Sequence, residues 1–156
     1  MLSRIYNLLY LWRNAIFCGK KSIKMGTSNT KNRPIVALIY DFDGTLSAGN
    51  MQEYNFIPAV GKSNKEFWSE ANDLAEEQDA DQILTYMALM IRAAQAKGIS
   101  LRREAFQDSG RNIRYYNGVE EWFPRMNAYA AERGIRLLHY VNSSGLKEII
   151  EGTSIA

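Results

Sequence analysis

Cysteine and histidine are nearly absent from this chain: its 156 residues contain one of each, Cys18 and His139. A single cysteine closes no intrachain disulfide, so the fold has no covalent framework and suits a reducing, cytoplasmic compartment. The same scarcity leaves no Cys/His cluster for a zinc site. A run of twenty or so apolar residues, as a membrane span requires, is missing as well. Leu2 to Phe17 is apolar, with Tyr6, Tyr10 and Trp12 interleaved, but Asn7, Arg13 and Asn14 break it. No small-x-small cleavage site follows it cleanly, as a signal peptide would need. An amphipathic surface helix is the other reading of this stretch. The chain shows no Walker-type phosphate loop, internal repeat or low-complexity tract.

Acid is absent from the first 33 residues, which carry Arg4, Arg13, Lys20, Lys21, Lys24, Lys31 and Arg33. That segment is therefore +7 and the remainder −5, within an overall charge of +2. An acidic body argues against nucleic acid as a partner. Residues 1–33 read as a basic N-terminal extension. Met25-Gly26 opens the polar stretch that leads into the rest, so residues 1–24 are expected to precede the natural start.

What the sequence does have is concentrated in Ile35 to Ser47. The apolar run Ile35 to Tyr40 ends in Asp41 and Asp43, followed by Gly44 and Thr45. Such a run predicts a strand buried on both faces, as in a parallel sheet. Function in such sheets gathers at the carboxyl ends of the strands. On an extended strand, positions i and i+2 share a side, so Asp41 and Asp43 are expected to face one cavity. One carboxylate can attack phosphorus and form an aspartyl-phosphate. The second can protonate the leaving group and then take a proton from water. Two neighbouring acids call for a cation, and a hard oxygen site with a phosphate substrate points to Mg²⁺. A strand-ending turn, with Asp and Gly serving only as turn residues, is the structural alternative.

A second apolar run, Ile135 to Val141, leads into Asn142-Ser143-Ser144-Gly145. Between the two runs the sequence reads as helical. Phe67, Trp68, Ala71 and Leu74 recur at helical spacing within 63–77. Asp79 or Asp81 can cap a helix whose apolar side is expected to hold Ile83, Leu84, Met87, Met90, Ile91 and Ala94, ending near Gly98. A shorter helix is expected over 101–108. Val119, Trp122, Phe123, Met126 and Ala130 share a face of a further helix. Gly134 suits its C-terminal cap, and Pro124 is tolerable there if it falls near the first turn. The lone His139, inside the second run, is expected near the sheet in a packing role rather than a catalytic one.

Asp41-Phe42-Asp43-Gly44-Thr45 after a hydrophobic strand resembles the first motif of the haloacid dehalogenase-like hydrolase superfamily. The run ending in Asn142-Ser143-Ser144-Gly145 resembles its second. The resemblance covers 34–156 and rests on about eight motif residues. It implies an α/β fold: a Rossmann-like parallel-sheet core over 34–51 and 117–156, incomplete with two core strands, and an inserted all-helical cap over 52–116. It further implies a phosphatase in which Asp41 is the nucleophile and Asp43 the general acid/base. Both aspartates would hold Mg²⁺, Asp43 through its backbone carbonyl. Ser143, with Ser144 as fallback, would bind the phosphoryl group, with Gly145 and the start of a helix over 146–151 offering N–H groups, alongside Gly44 and Thr45. The acid at Asp43 favours phosphoryl transfer over dehalogenation. The substrate would be a small phosphorylated metabolite, with Asn50, Gln52, Tyr54 and Phe56 as candidate contacts.

The lysine and the distal acid that complete such sites find no match after Ser143. Lys147 is either a substitute for that lysine or part of a solvated helix face. The sequence is accordingly expected to be the N-terminal part of a longer enzyme or a truncated product, marginally stable and with an exposed sheet edge. A phosphomutase, and an inactive chain with a binding role alone, are the alternative readings.

Overall fold

In the computed structural model, residues 33–156 and the backbone of Ile16 and Phe17 are described. The architecture is mixed α/β. Three strands, β1 (Ile16–Phe17), β2 (Ile35–Tyr40) and β3 (Arg136–Val141), form one sheet in the order β1-β3-β2. β2 and β3 run parallel, with Ile35 opposite Arg136 and Tyr40 opposite Val141. β1 is antiparallel to β3. Helices α1 (Phe56–Ala59), α2 (Asn64–Glu77), α3 (Gln82–Lys97), α4 (Arg103–Gly110), α5 (Val119–Glu132) and α6 (Lys147–Glu151) supply the rest. Among the described residues no helix is long and apolar enough to cross a membrane.

The described residues divide into two compact units. The first holds residues 33–48, Tyr115–Ser143 and Ser154–Ala156, and so contains β2, β3 and α5. The second holds Gly49–Arg114 and Ser144–Thr153, all of whose regular structure is helical. The segment Ser144–Thr153, read from the sequence as part of the core, groups with the helices.

In the first unit, α5 packs along β3. Its C-terminus closes with Gly134 at φ +67°: Gly134 N–H donates to Ala131 O and Ile135 N–H to Ala130 O. This paired pattern uses a left-handed residue that only glycine supplies without strain. Pro124 is the sixth residue of α5, beyond the first turn where it was expected, so the helix forgoes the hydrogen bond a normal residue would make there. Its exposed position leaves the freed carbonyl open to water. β2 also departs from expectation. Ile35 is 59 % exposed, Val36 41 % and Ile39 67 %, so the strand is not buried on both faces. It sits at the end of the strand order, and only Leu38 and Tyr40 are half-buried. An apolar run reports what a strand prefers, not how many neighbours cover it.

The helical unit has its own core. Phe56, Ile57, Val60, Phe67, Ala71, Tyr86, Leu89, Met90 and Ala94 form one buried cluster. α2 begins with a reciprocal cap: Ser63 Oγ accepts from Glu66 N–H, and the Glu66 carboxylate accepts from Ser63 N–H at 2.8 Å. The Ser63 hydroxyl also donates to Glu66 Oε2 at 2.7 Å, and this bond, with that from the Ser63 N–H, favours the ionised acid and holds Glu66 below its ordinary pKa. Asp81, not Asp79, caps α3, accepting from Ile83 and Leu84 N–H at 2.9 and 3.1 Å. Asp79 occupies the preceding turn at φ +48°.

The buried side of α3 matches the one expected at Met90 and Ala94 but not elsewhere. Thr85, Tyr86, Leu89, Met90 and Ala94 are buried, while Ile83, Leu84 and Ile91 are exposed. This helix is apolar around most of its circumference, so spacing alone did not select a face. α4 and α6 approach at two glycines, Gly110 beside the Ile149 carbonyl and Gly152 beside Gln107. Arg103 joins them by an ion pair with Glu151, which also receives Lys147 at 3.5 Å. Lys147 thus serves a helix-surface pair, and these bonds hold Glu151 below its ordinary pKa.

Candidate functional site at the carboxyl edge of the parallel strands

The register of β2 and β3 decides what meets at the edge of the sheet. Because Tyr40 lies opposite Val141, the chain leaves both strands at the same level. Asn142 N–H donates to Tyr40 O at 2.8 Å, extending the ladder by one bond. Asp41 and the Asn142-Ser143 pair therefore depart side by side from adjacent parallel strands. This is the end of a parallel sheet at which ligands usually bind.

After Tyr40 the side chains keep alternating. Asp41 is exposed, Phe42 is fully buried and Asp43 is half-buried. Phe42 anchors the turn through its backbone as well. Its carbonyl accepts from the N–H groups of Thr45, Leu46 and Ser47 at 3.2, 2.9 and 3.0 Å. Gly44, at φ +76°, makes the turn, and no atom lies within 4 Å of where its Cβ would be. The requirement at this position is thus conformational rather than spatial. Thr45 Oγ1 donates to Asp41 Oδ2 at 3.3 Å, restraining one carboxylate oxygen. The far side of the turn is tied down by short bridges from Asp43 to Ser47 and from Ser47 to Tyr115, and by Tyr116 N–H donating to Leu46 O at 3.1 Å. The result is a braced turn presenting two carboxylates, a hydroxyl and a glycine.

Behind the turn lies a chain of hydrogen bonds that the sequence did not reveal. Trp122 Nε1 donates to the Tyr40 hydroxyl at 2.9 Å. That hydroxyl is 2.8 Å from His139 Nδ1, and His139 Nε2 is 3.3 Å from Asn127 Oδ1. The donors run in one direction, Trp122 to Tyr40 to His139 to Asn127, when His139 is neutral with its proton on Nε2. The Tyr40 and His139 rings stack at 5.8 Å, and Phe123 meets both edge-on. Burial lowers the His139 pKa and raises that of Tyr40, the latter against the opposing pull of the Trp122 bond. His139, within β3, is half-buried and its ring packs against Tyr40 and Phe123.

The remaining candidates lie in the helical unit. Ser144 O accepts from Tyr86 OH at 2.9 Å. Gly145 precedes α6, which starts at Lys147 with Leu146 as a cap lacking any side-chain bond. The Leu146 N–H is committed to Met51 Sδ at 3.1 Å. Asn50 Nδ2 donates to Glu53 Oε1 at 2.7 Å, and Trp68 Nε1 donates to the same oxygen at 2.8 Å. Tyr54 OH donates to Arg114 O at 3.2 Å. Phe56 is 4 % exposed, part of the core and stacked on Phe106. Gln52 is 2 % exposed, and its Oε1 has no hydrogen-bond partner. Of the four proposed substrate contacts, then, Asn50 and Tyr54 tie local structure, Phe56 packs, and Gln52 alone carries an unpaired buried acceptor.

Asp41 and Thr45 are thus in contact, Asp43 lies on the same turn, and Ser143 leaves the neighbouring strand at the same edge. Among the described residues no group of three or more His, Cys, Asp or Glu side chains is gathered for a metal.

No family model and no solved structure matches this sequence. The chain is similar to a protein of Borreliella burgdorferi described as uncharacterized, with 30% identity over 132 residues. That similarity covers 78% of this chain and 46% of the relative, so the chain spans about half the length of the protein it matches.

Proposed function

We propose that this chain carries the nucleophilic half of an Mg²⁺-dependent phosphohydrolase site of the haloacid dehalogenase-like type, acting on a small phosphorylated metabolite. The observation that supports this reading most is the β2–β3 register, which sends Asp41-Phe42-Asp43-Gly44-Thr45 and Asn142-Ser143 from the same edge of one parallel sheet. A turn that needed only its shape would not require two carboxylates at the mouth of a parallel strand.

In this mechanism an Asp41 carboxylate oxygen attacks the substrate phosphorus. A P–O bond forms at Asp41 as the ester P–O bond breaks, and Asp43, protonated, gives its proton to the departing alkoxide. Asp43, now ionised, takes a proton from water as that water attacks the phosphorus of the aspartyl-phosphate. Inorganic phosphate leaves with the bonding pair resolved onto Asp41, which returns to its carboxylate. Thr45 restrains the Asp41 oxygen not used in the attack, and the Ser143 hydroxyl donates to the phosphoryl oxygens. The Asp41 carboxylate and the Asp43 backbone carbonyl would hold Mg²⁺, which would supply positive charge against the phosphate.

The test is phosphate release from an aryl phosphate with and without Mg²⁺, alongside trapping of acid-stable, base-labile phosphoenzyme. Asp41→Asn is expected to abolish both signals. Turnover that persists in Asp41→Asn, or phosphate release without any Mg²⁺ dependence, overturns the proposal.

A further inference from the structure

Among the described residues the sheet has two ends, and they differ. β1, at one end, spans two residues and offers little edge. β2, at the other, is six residues long, with no proline and no charge within it. Its ladder to β3 uses the carbonyls of Pro34 and Tyr40. Backbone groups alternate in direction along a strand, so those of Ile35, Ala37 and Ile39 face away from β3. The side chains of the same three residues stand on the face opposite α5, which reaches Tyr40 through Trp122 and Phe123. All three are exposed. An apolar edge of this length, with neither a charge nor a proline to blunt it, is a template for another strand.

We infer that this edge pairs with its own counterpart: β2 of a second copy lies antiparallel beside it, with the two-fold axis at Ala37, and the sheet runs on through both chains. The sequence is self-complementary about that residue. Ala37 meets Ala37, Ile35 meets Ile39 and Arg33 meets Asp41, each in both directions. These are the outward-facing positions, so opposed residues exchange backbone hydrogen bonds. The axis stands perpendicular to the sheet. It keeps the isoleucines of both copies on one face as cross-strand neighbours. Pro34 holds Arg33 extended, and the alternation of burial carries the extended chain through Asp41. Both charged ends therefore stay in register.

Charge selects the orientation and the occupant. The chain enters β2 just after Arg33 and leaves it at Asp41. Antiparallel pairing sets a guanidinium against a carboxylate at each end. A parallel pairing in register would set Asp41 against Asp41. A guanidinium beside Asp41 favours its ionised form, the one required by the attack proposed above. The association does not itself rest on that chemistry. With one such edge per chain, pairing closes at two copies, the commonest symmetry of soluble oligomers.

The whole chain of 156 residues is examined by sedimentation velocity over a range of concentrations and is expected to show a monomer–dimer equilibrium. Arg33→Glu sets an acid against Asp41 at each end and is expected to weaken the dimer by about tenfold. Arg33 is exposed and lies outside the strand, and thermal melting checks that the fold survives. In a Cys18→Ser background, Ala37→Cys brings two sulfurs together across the axis, on Cα atoms about 5.5 Å apart, and is expected to cross-link on oxidation. Ile39→Cys in the same background holds its sulfurs more than about 10 Å apart and is expected not to. A wild-type chain that stays monomeric, or that assembles beyond two copies, overturns the inference. So does a dimer that Arg33→Glu leaves unchanged, or a failure of Ala37→Cys to cross-link in preference to Ile39→Cys.

Discussion

The Tyr40 hydroxyl lies 2.8 Å from Nδ1 of His139, and Trp122 Nε1 donates to that same hydroxyl. Tyr40 is the residue immediately before Asp41, so its side chain fixes the last position of β2 from which the carboxylate turn departs. A protonated His139 would present a donor to Tyr40 and break the one-way order of the chain.

Stability is expected to depend on this histidine. Burial holds its pKa below the ordinary value in the folded state. Between the depressed folded value and the unfolded value of about 6.5, the unfolded chain binds more protons. Stability therefore falls as pH drops through that window and levels off below it. His139→Gln is expected to flatten this part of a melting-temperature profile. Losses from the depressed acids Glu66 and Glu151 fall lower, below the ordinary carboxylate range, and should remain. An unchanged slope just below about pH 6.5 in His139→Gln would count against the role given to burial.

Gly44→Ala tests the carboxylate turn. The backbone sits at φ +76° with open space where a Cβ would be, so the penalty is conformational, about 1–2 kcal/mol. Denaturant unfolding should report that loss. Gly44→Asn should lose less, because asparagine adopts left-handed geometry more readily.

Gly110→Ala and Gly152→Ala test the α4–α6 contact by a different mechanism. Each added methyl would overlap the backbone of the facing segment, at Ile149 for Gly110 and at Gln107 for Gly152. Backbone cannot swing aside as a side chain can, so each should cost at least the upper part of the usual overpacking range of about 1–3 kcal/mol. Calorimetry should show a larger fall in melting temperature than for Gly44→Ala.

Thr45→Val removes the bond to Asp41 Oδ2 while keeping shape. The bond is exposed and 3.3 Å long, so folding should be unaffected. If Asp41 is the nucleophile, phosphate release should fall several-fold in kcat with little change in KM. Asp43→Asn should fall further, by about 10²–10⁴, the usual contribution of a positioned acid/base.

Both parallel strands, the helix ends at Gly98 and Gly134, and the placement of two motifs at strand ends were legible because each is a local signal. Asp81 and Asp79 could not be separated, since both precede the same apolar run and only the turn geometry selects one. The buried face of α3 was legible only at Met90 and Ala94, because Leu84 and Ile91 are as apolar as Tyr86 and Leu89, which take their place in the core. Nor was the exposure of β2, which depends on how many strands flank it. The Tyr40–His139–Trp122 chain needed three elements to meet from distant parts of the sequence. Gln52 was singled out for its place near the first motif, but nothing in the sequence marked its side-chain oxygen as buried without a partner.

The β2–β3 ladder also fixes which way each amide of β2 points. Arg136 donates to Pro34 O at one end and Asn142 to Tyr40 O at the other. In a parallel ladder of that phase, the N–H groups of Val36, Leu38 and Tyr40 point toward β3. Those of Ile35, Ala37 and Ile39 point away from it, along the outer rim of the sheet. Placed in heavy water, the strand would then record its own edge: deuterium would enter at every second residue first, and a strand added to that rim would erase the alternation.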